Sequence, residues 1–199
     1  MASDVEKIKK LRIETGLGIH DIKKALEEAK GDEKKAVELL KKWGLNTVAK
    51  RAGRDANQGI IYTYTHANHR FGSMVEVNCE TDFVARTDGF KTFVHEIALQ
   101  VASMSPIYVS EADIPAEELK RVRDEAMELA KNSGKPANML EKIVDGQVKK
   151  HFAEKVLMQQ TYIKNEKQTV EDFVKENIAK TGENLIVRQF KRIELGVSE

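Results

Sequence analysis

Several residue types are scarce in this 199-residue chain, and each shortage removes a class of protein. A single cysteine, Cys79, excludes an intramolecular disulfide and with it the scaffold of small disulfide-rich secreted domains. No apolar run approaches the ~20 residues that a membrane-spanning helix needs. The charged N-terminal residues lack the basic start and apolar stretch of a signal peptide. We therefore expect a cytoplasmic protein with no membrane segment.

An excess of charge of one sign is also missing. Lys and Arg number 33 against 32 Asp and Glu, so the formal net charge is +1. Affinity for nucleic acid depends mainly on clustered positive charge that neutralises phosphates. The sequence therefore predicts no direct contact with nucleic acid. Hydrophobic residues make up 41% of the chain and charged residues 33%, which allows a real core beneath a heavily charged surface.

Recognisable catalytic and metal-binding spacings are absent as well. The five histidines are scattered, and neither they nor Cys79 form a zinc-ligand pattern. Cys79 has no neighbouring His or second Cys, so it is predicted to be a buried small hydrophobic residue rather than a nucleophile. Gly134 and Lys135 lack the earlier glycine and the following Ser or Thr of a phosphate-binding loop. Nothing here points to an enzyme, a cofactor or a metal.

The first positive signal is helical periodicity near the N-terminus. Within residues 1–54, apolar residues recur at helical spacing in stretches 5–11, 22–29 and 36–43, separated by glycine-bearing breaks. Gly44 is predicted to end the third helix, since glycine is common just past a helix end. We predict a three-helix module over residues 1–54. The polar residues 51–59 then read as a linker to a second domain, residues 55–199.

Beyond this linker the pattern changes to strands and then returns to helices. Residues 61–65 are β-branched or aromatic and residues 74–79 alternate, which predicts a β-hairpin. A helix at 90–104 follows. Two amphipathic stretches around a Gly/Pro turn at 133–136 predict an antiparallel helical hairpin over about 115–155. An extended piece at 157–163, a helix at 170–178 and an alternating strand at 185–195 complete the domain.

The predicted fold class is therefore α+β. After the N-terminal three-helix module, a small three-stranded antiparallel sheet is expected to be covered by helices, with the helical hairpin projecting from it.

The segment that joins the β-hairpin to the next helix is unusual. Thr81 or Asp82 can cap a short helix there, and Asp88 can cap the following one. Phe83 then either lies at an exposed corner or folds back on the helix start. The corner is either purely structural or an anchor for a protein partner, because a rigid exposed aromatic residue suits that role.

Two longer stretches carry a resemblance to a known family. Residues 76–85 read EVNCETDFVA, and Leu11-Arg12 is followed by TGLGIHDIKKAL at residues 15–26. Both runs resemble signatures of bacterial elongation factor Ts, and the likeness extends along essentially the whole chain. It implies a nucleotide exchange factor that binds elongation factor Tu carrying GDP and speeds GDP release, so that GTP can bind. It also implies which residues push into the partner's GTPase domain and dislodge magnesium: Thr81, Asp82, Phe83 and Val84.

The same resemblance gives the N-terminal module a docking role. The module is similar to a ubiquitin-associated domain and is expected to contact the GTPase domain through Arg12, Ile19 and His20, although the family often has two methionines at the last two positions. Gln100 stands where long members carry an interface histidine and receives no role. Long members have two related core halves, whereas this chain resembles the shortened type that pairs with itself. The resemblance thus implies a homodimer, held by the sheet rather than by Cys79.

Two other functions stay open at this point. An adaptor similar to a ubiquitin-associated domain explains the helical module but leaves residues 81–84 unexplained. A salt-sensitive RNA-binding protein is the second, and RNA binding at low salt distinguishes it.

Overall fold

The computed structural model describes residues 4–132 and 137–197, which form an α+β arrangement. The helices are α1 (Asp4–Thr15), α2 (Ile19–Glu28), α3 (Glu33–Arg51), α4 (Asp82–Ala85), α5 (Asp88–Met104), α6 (Ala116–Asn132), α7 (Ala137–Ala153) and α8 (Val170–Thr181). The strands are β1 (Gln58–Thr65), β2 (Phe71–Cys79), β3 (Thr161–Tyr162), β4 (Asn165–Thr169) and β5 (Ile186–Glu194). The predicted helix–helix turn at 133–136 lies outside the described residues. None of the helices in the described ranges is long and apolar enough to span a membrane.

The chain divides into two compact units, each made of several chain segments. Unit 1 comprises the described residues of Met1–Ile60, Val77–Lys91 and Asp172–Ile186. Unit 2 comprises those of Ile61–Glu76, Thr92–Glu171 and Val187–Glu199. The domain boundary between residues 54 and 55 stays a prediction.

Helices α1, α2 and α3 share a small core within unit 1. Alanines are frequent among its buried members, so the helices approach closely although few large side chains are available. The buried members are Leu11, Ile22, Ala25, Leu26, Ala29, Ala36 and Leu40. Partly buried side chains, Trp43 among them, pack around this core.

The prediction that the third helix ends at Gly44 is wrong, because α3 continues without a break to Arg51. Gly44 instead lies where α3 meets α8. A Cβ atom at this position would come within 3.2 Å of the Cβ of Ala179. Glycine therefore permits a close approach of two helices here, and its cost to helix stability is offset by the packing it allows.

The predicted linker at 51–59 is shorter in the structure, where the connection between α3 and β1 spans residues 52–57. Arg51 belongs to α3, and β1 already begins at Gln58. Between them, the carbonyl of Arg54 accepts a hydrogen bond from the Asn184 side chain at 2.8 Å. Ala56 is buried, and its carbonyl accepts from the side chain of Asn78 at 3.2 Å. The polar composition that suggested a loose connection reflects backbone groups satisfied by distant side chains.

The small three-stranded antiparallel sheet is confirmed, with strand order β1-β2-β5. A second sheet of two strands, β3 and β4, was not predicted. Its sequence signal is weak, because β3 has only two residues and β4 reads Asn-Glu-Lys-Gln-Thr, without the alternation or the apolar side chains of a strand.

Unit 2 contains polar side chains from α5 that hold the β3 region. Gln100 is fully buried; its amide nitrogen donates to the carbonyl of Thr161 at 3.1 Å, and its amide oxygen accepts from the N–H of Ile163 at 2.9 Å. One turn earlier, Glu96 accepts from Tyr162 and Lys164. Gln100 is thus a structural residue of this chain's interior.

Helices α6 and α7 pack on each other in unit 2. Their shared core contains Ala126, Ala130 and Val144, and the guanidinium of Arg123 reaches the carboxylate of Asp145 at 2.7 Å. Small residues at the contact let the two helices approach closely.

Candidate partner-binding site

The four residues singled out in the second signature form a tight corner after β2. Thr81 has an extended backbone and is the N-cap of α4, since its hydroxyl oxygen accepts from the N–H of Val84 at 3.4 Å. Of the two caps considered, Thr81 is therefore the one used. Asp88 was expected to cap α5 but is its first residue, and the capping oxygen comes from Thr87, which accepts from the N–H of Phe90 at 3.2 Å. A hydroxyl one residue earlier reaches the free N–H groups that Asp88 cannot.

Phe83 lies at the exposed corner rather than folding back on the helix. Its side chain is 79% exposed, whereas Ala85, two residues later, is buried. The carboxylate of Asp82 is paired with the guanidinium of Arg86 at 2.8 Å, one turn further along. Val84 is half-buried. The corner thus presents one large aromatic side chain to solvent beside an acidic group, on a backbone fixed by its cap.

A reciprocal pair of carboxylates holds this corner in unit 1. The carboxylate of Glu183 accepts from both the N–H of Thr81, at 3.1 Å, and its hydroxyl, at 2.6 Å. In the opposite direction, the carboxylate of Glu80 accepts from the N–H of Asn184 at 2.7 Å. We call these contacts between residues 80–81 and 183–184 the carboxylate clamp. Bonds to an ionised acceptor are stronger than neutral ones, so the clamp fixes the residue that caps α4.

Glu80 also connects the corner to the end of α3. The guanidinium of Arg51 lies 3.1 Å from its carboxylate and that of Arg54 lies 3.4 Å away. The Glu80 side chain is only 15% exposed. The N–H of Asn184, followed by the charges of Arg51 and Arg54, holds the pKa of Glu80 below its ordinary value. The carboxylate is therefore ionised at neutral pH and ties three chain segments together.

The predicted docking residues lie on either side of the turn between α1 and α2. Arg12 is in the last turn of α1, and Ile19 and His20 are the first two residues of α2. All three side chains are exposed, Ile19 by 50%. The turn itself passes through Gly16, whose φ of 69° lies in the left-handed region where glycine is favoured. The structure thus brings the three residues to one connection.

The turn between α1 and α2 that carries the predicted docking residues (the docking turn) and the corner are on separate elements of unit 1, and residues 180–183, at and just past the end of α8, contact both. The aliphatic part of the Lys180 side chain lies about 3.3 Å from the position a Cβ of Gly16 would take. Three residues later, Glu183 holds Thr81. Lys180 in the last turn of α8 thus lies beside the turn between α1 and α2, and Glu183, two residues past the end of α8, binds the corner.

Cys79 is fully buried beneath the corner, which confirms its prediction as a small buried residue. Its thiol lies 3.1 Å from the carbonyl oxygen of Thr81. Burial, with a smaller contribution from the charge of Glu183, raises the pKa of Cys79 to about 11. A thiol with so high a pKa stays protonated at neutral pH, and because it is also buried it is a poor nucleophile.

Sequence reasoning missed the residues that hold the corner. Glu183 contacts a residue 102 positions earlier in the chain, and no local sequence pattern predicts a contact between residues so far apart. Arg51 and Arg54 were read as parts of a linker. Glu80 was quoted within the signature, yet only the fold shows what it binds. Across residues 4–132 and 137–197, no group of three or more His, Cys, Asp or Glu side chains is arranged to hold a metal ion.

Comparison with known proteins gives one consistent result. The family described as elongation factor TS matches residues 3–197. Elongation factor Ts of Carboxydothermus hydrogenoformans is 49% identical over 189 residues, which cover 95% of this chain and 87% of that protein. Elongation factor Ts of Coprothermobacter proteolyticus is 49% identical over 95% of this chain and 96% of its own. Elongation factor Ts of Thermotoga maritima is 50% identical over 196 residues, 98% of each chain.

Proposed function

The chain belongs to the elongation factor Ts family, and from this premise we propose that it is a guanine-nucleotide exchange factor for elongation factor Tu. It binds elongation factor Tu carrying GDP, promotes GDP release and lets GTP enter during protein synthesis. The observation that carries this proposal is the exposed Phe83 on the capped corner. A large apolar side chain held in water by a rigid backbone gains most when a partner's pocket covers it.

The corner acts as a wedge in this proposal. Thr81, Asp82, Phe83 and Val84 enter the partner's GTPase domain near the nucleotide, with Phe83 as the apolar anchor and Asp82 as the acidic group beside it. Magnesium bridges and neutralises the phosphates, so a wedge that displaces it weakens the binding of GDP. We propose that the solvent-exposed Asp82–Arg86 pair keeps the acidic group beside Phe83 until the partner binds.

The N-terminal module supplies the second contact. We propose that α1 to α3 form a module like a ubiquitin-associated domain, and that Arg12, Ile19 and His20 dock it on the same GTPase domain. Their exposure around one turn suits a small mixed surface of one apolar, one cationic and one aromatic side chain. Docking provides affinity, and the wedge then works at high effective concentration.

No chemical step of its own is required of such a factor. Exchange obeys linkage: whatever free energy the factor gains by preferring the nucleotide-free partner equals what the nucleotide loses. We propose that the protein is not an enzyme, uses no cofactor, acts in the cytoplasm and makes no direct contact with nucleic acid. The near-neutral charge balance of 33 against 32 supports the last point.

A second copy of the chain is the other partner we propose. All three strands of the sheet carry exposed apolar side chains. These are Ile61 in β1, Met74 in β2 and Ile193 in β5, exposed by 68%, 48% and 76%. A symmetric pairing of sheets would cover them without involving the buried Cys79. Sedimentation at working concentration tests this, and a monomer would contradict it. We propose in addition that α6 and α7 project as an antiparallel hairpin.

The decisive experiment is the release of fluorescent GDP from elongation factor Tu. We expect the parent to accelerate release and the Phe83→Ala variant to lose most of that acceleration. A matched control is Ile107→Ala, which truncates another exposed apolar side chain, 58% exposed, in unit 2. If the parent accelerates release and Phe83→Ala does so equally, the exchange function is supported but the role of Phe83 in the wedge is contradicted. No acceleration by the parent would favour an adaptor that binds without exchanging.

A further inference from the structure

We propose that Glu183 and Glu80 are positioning residues of the exchange site, through a carboxylate clamp that sets the direction of Phe83 before the partner arrives. This inference rests on the proposed exchange function and assigns a role to residues outside the wedge. Both carboxylates face inward to backbone and side-chain donors of the same unit, so they act through the wedge rather than by touching the partner.

The hydroxyl of Thr81 shows how the clamp reaches Phe83. A hydroxyl has one proton to donate and lone pairs to accept. Because its proton is given to Oε1 of Glu183, the oxygen is oriented to accept from the N–H of Val84. Glu183 therefore orients the cap, the cap starts α4, and α4 carries Phe83.

A helix as short as α4 needs such support. It has only four residues, and a single helical turn is not stable by itself, since nucleation fixes several residues for one hydrogen bond. Without the clamp, the corner would sample many conformations and would have to be ordered during binding. With the clamp, the corner is already ordered when the chain folds.

Glu80 completes the device from the other side. Its carboxylate holds the N–H of Asn184, the residue next to Glu183, and is itself held by Arg51 and Arg54. Because the backbone next to Glu183 is held in this way, the Glu183 carboxylate stays within hydrogen-bonding distance of Thr81. The two bonds to Glu183 and the one bond to Glu80 run in opposite directions between the same two chain segments, which resists both sliding and separation.

The test is a titration of GDP release from elongation factor Tu against the concentration of the factor. For Glu183→Ala we expect the maximal release rate to fall about tenfold, as for loss of a hydrogen-bonded charged group. The concentration that gives half of the maximum should change little, because the docking turn is untouched. Glu183→Gln, which keeps one acceptor oxygen, should fall in between. The control Glu176→Ala removes an exposed carboxylate from α8 and should match the parent.

This design separates positioning from simple loss of folded protein. A smaller folded fraction shifts the concentration axis and leaves the maximum unchanged, whereas a misplaced wedge lowers the maximum. A double variant with Thr81→Ala adds a second criterion. If Glu183 works through Thr81, the double variant should be no slower than the slower single variant.

Cys79 provides a readout that does not depend on exchange. Its thiol is buried under the carbonyl of Thr81, so a thiol reagent reaches it only when the corner opens. Glu183→Ala should speed labelling about tenfold, because the same lost hydrogen bonds make opening of the corner easier, and Glu176→Ala should not change the labelling rate.

The outcomes distinguish this inference from the proposed function. A slower maximal rate with faster labelling supports the clamp. Parent-like maximal rates in Glu183→Ala, with exchange by the parent intact, overturn the clamp and leave the proposed function standing. A parent that accelerates nothing removes the proposed function and, with it, any positioning role in exchange.

Discussion

Phe83 and Phe90 lie seven residues apart and differ in one respect that decides what each does. Phe83 is 79% exposed and Phe90 is 1% exposed. An aromatic side chain buries about 200 Å² when fully covered. About a fifth of that area is covered at Phe83, so Phe83→Ala should cost at most ~1 kcal/mol of unfolding free energy at about 25 cal/mol per Å². Phe90→Ala should cost about 3–5 kcal/mol, because it also leaves a cavity.

Exchange activity should show the opposite order. An aromatic anchor at the centre of an interface is worth about 2 kcal/mol or more, which corresponds to about a 30-fold loss of activity for Phe83→Ala. Phe90→Ala should keep its maximal release rate per folded molecule, because Phe90 does not face the partner.

Urea unfolding and GDP release from elongation factor Tu, measured on the same samples, test this separation. The reasoning fails if Phe83→Ala loses as much stability as Phe90→Ala, because the corner would then be packed in solution. It also fails if Phe83→Ala is both stable and fully active.

Three further predictions follow from the described contacts. Gly44→Leu should destabilise the protein by about 1–3 kcal/mol, since it forces a side chain against Ala179. Gly146→Ala, whose Cβ would have no atom within 4 Å, should stabilise the protein by about 0.5–1 kcal/mol. Urea unfolding measures both effects, and equal effects would contradict the close approach of α3 and α8 at Gly44. Glu80 has a folded pKa below its ordinary value of 4.5, so its contribution to stability is full above that pH and is lost as the pH falls through the folded pKa. The melting temperatures of the parent and Glu80→Gln should therefore differ at pH 7, begin to converge only below pH 4.5 and meet below the folded pKa, and a gap that stays constant with pH would refute the assignment. Cys79, which is buried and has its pKa raised to about 11, should react with a thiol reagent at pH 8 far more slowly in the native protein than in urea, and equal labelling rates would show that the corner is open.

The sequence predicted the parts of this fold that depend on local chemistry. Helical periodicity located α1 and α2, and the change to β-branched and aromatic residues located β1. Thr81 was one of the two residues predicted as the cap of this helix, and the structure shows that it is the one used. Each of these features is decided by residues close together in the chain.

The errors have a common physical origin in long-range contacts. Gly44 reads as a helix end from its neighbours alone, and only Ala179, far along the chain, explains why a glycine continues a helix there. Arg54 lies in the connection that its polar neighbours predicted, but the hydrogen bond from the Asn184 side chain to its carbonyl could not be predicted from them. Tertiary packing overrides local propensity at such positions. Exposure of Phe83 was likewise one of two alternatives until its surroundings were known.

The clamp also explains why a mobile corner would serve this function poorly. A wedge that must disturb a bound magnesium ion does so only with free energy left over after its own ordering. Burial of Phe83 contributes binding free energy, but in a flexible segment the conformational entropy lost on ordering four residues would offset part of it. Glu183 and Glu80 move this ordering into the folding of the chain, where Arg51 and Arg54 offset the cost of keeping a carboxylate mostly buried. In the proposed mechanism, the same free energy is then available to the complex with the partner, where it favours the state in which the nucleotide is weakly bound.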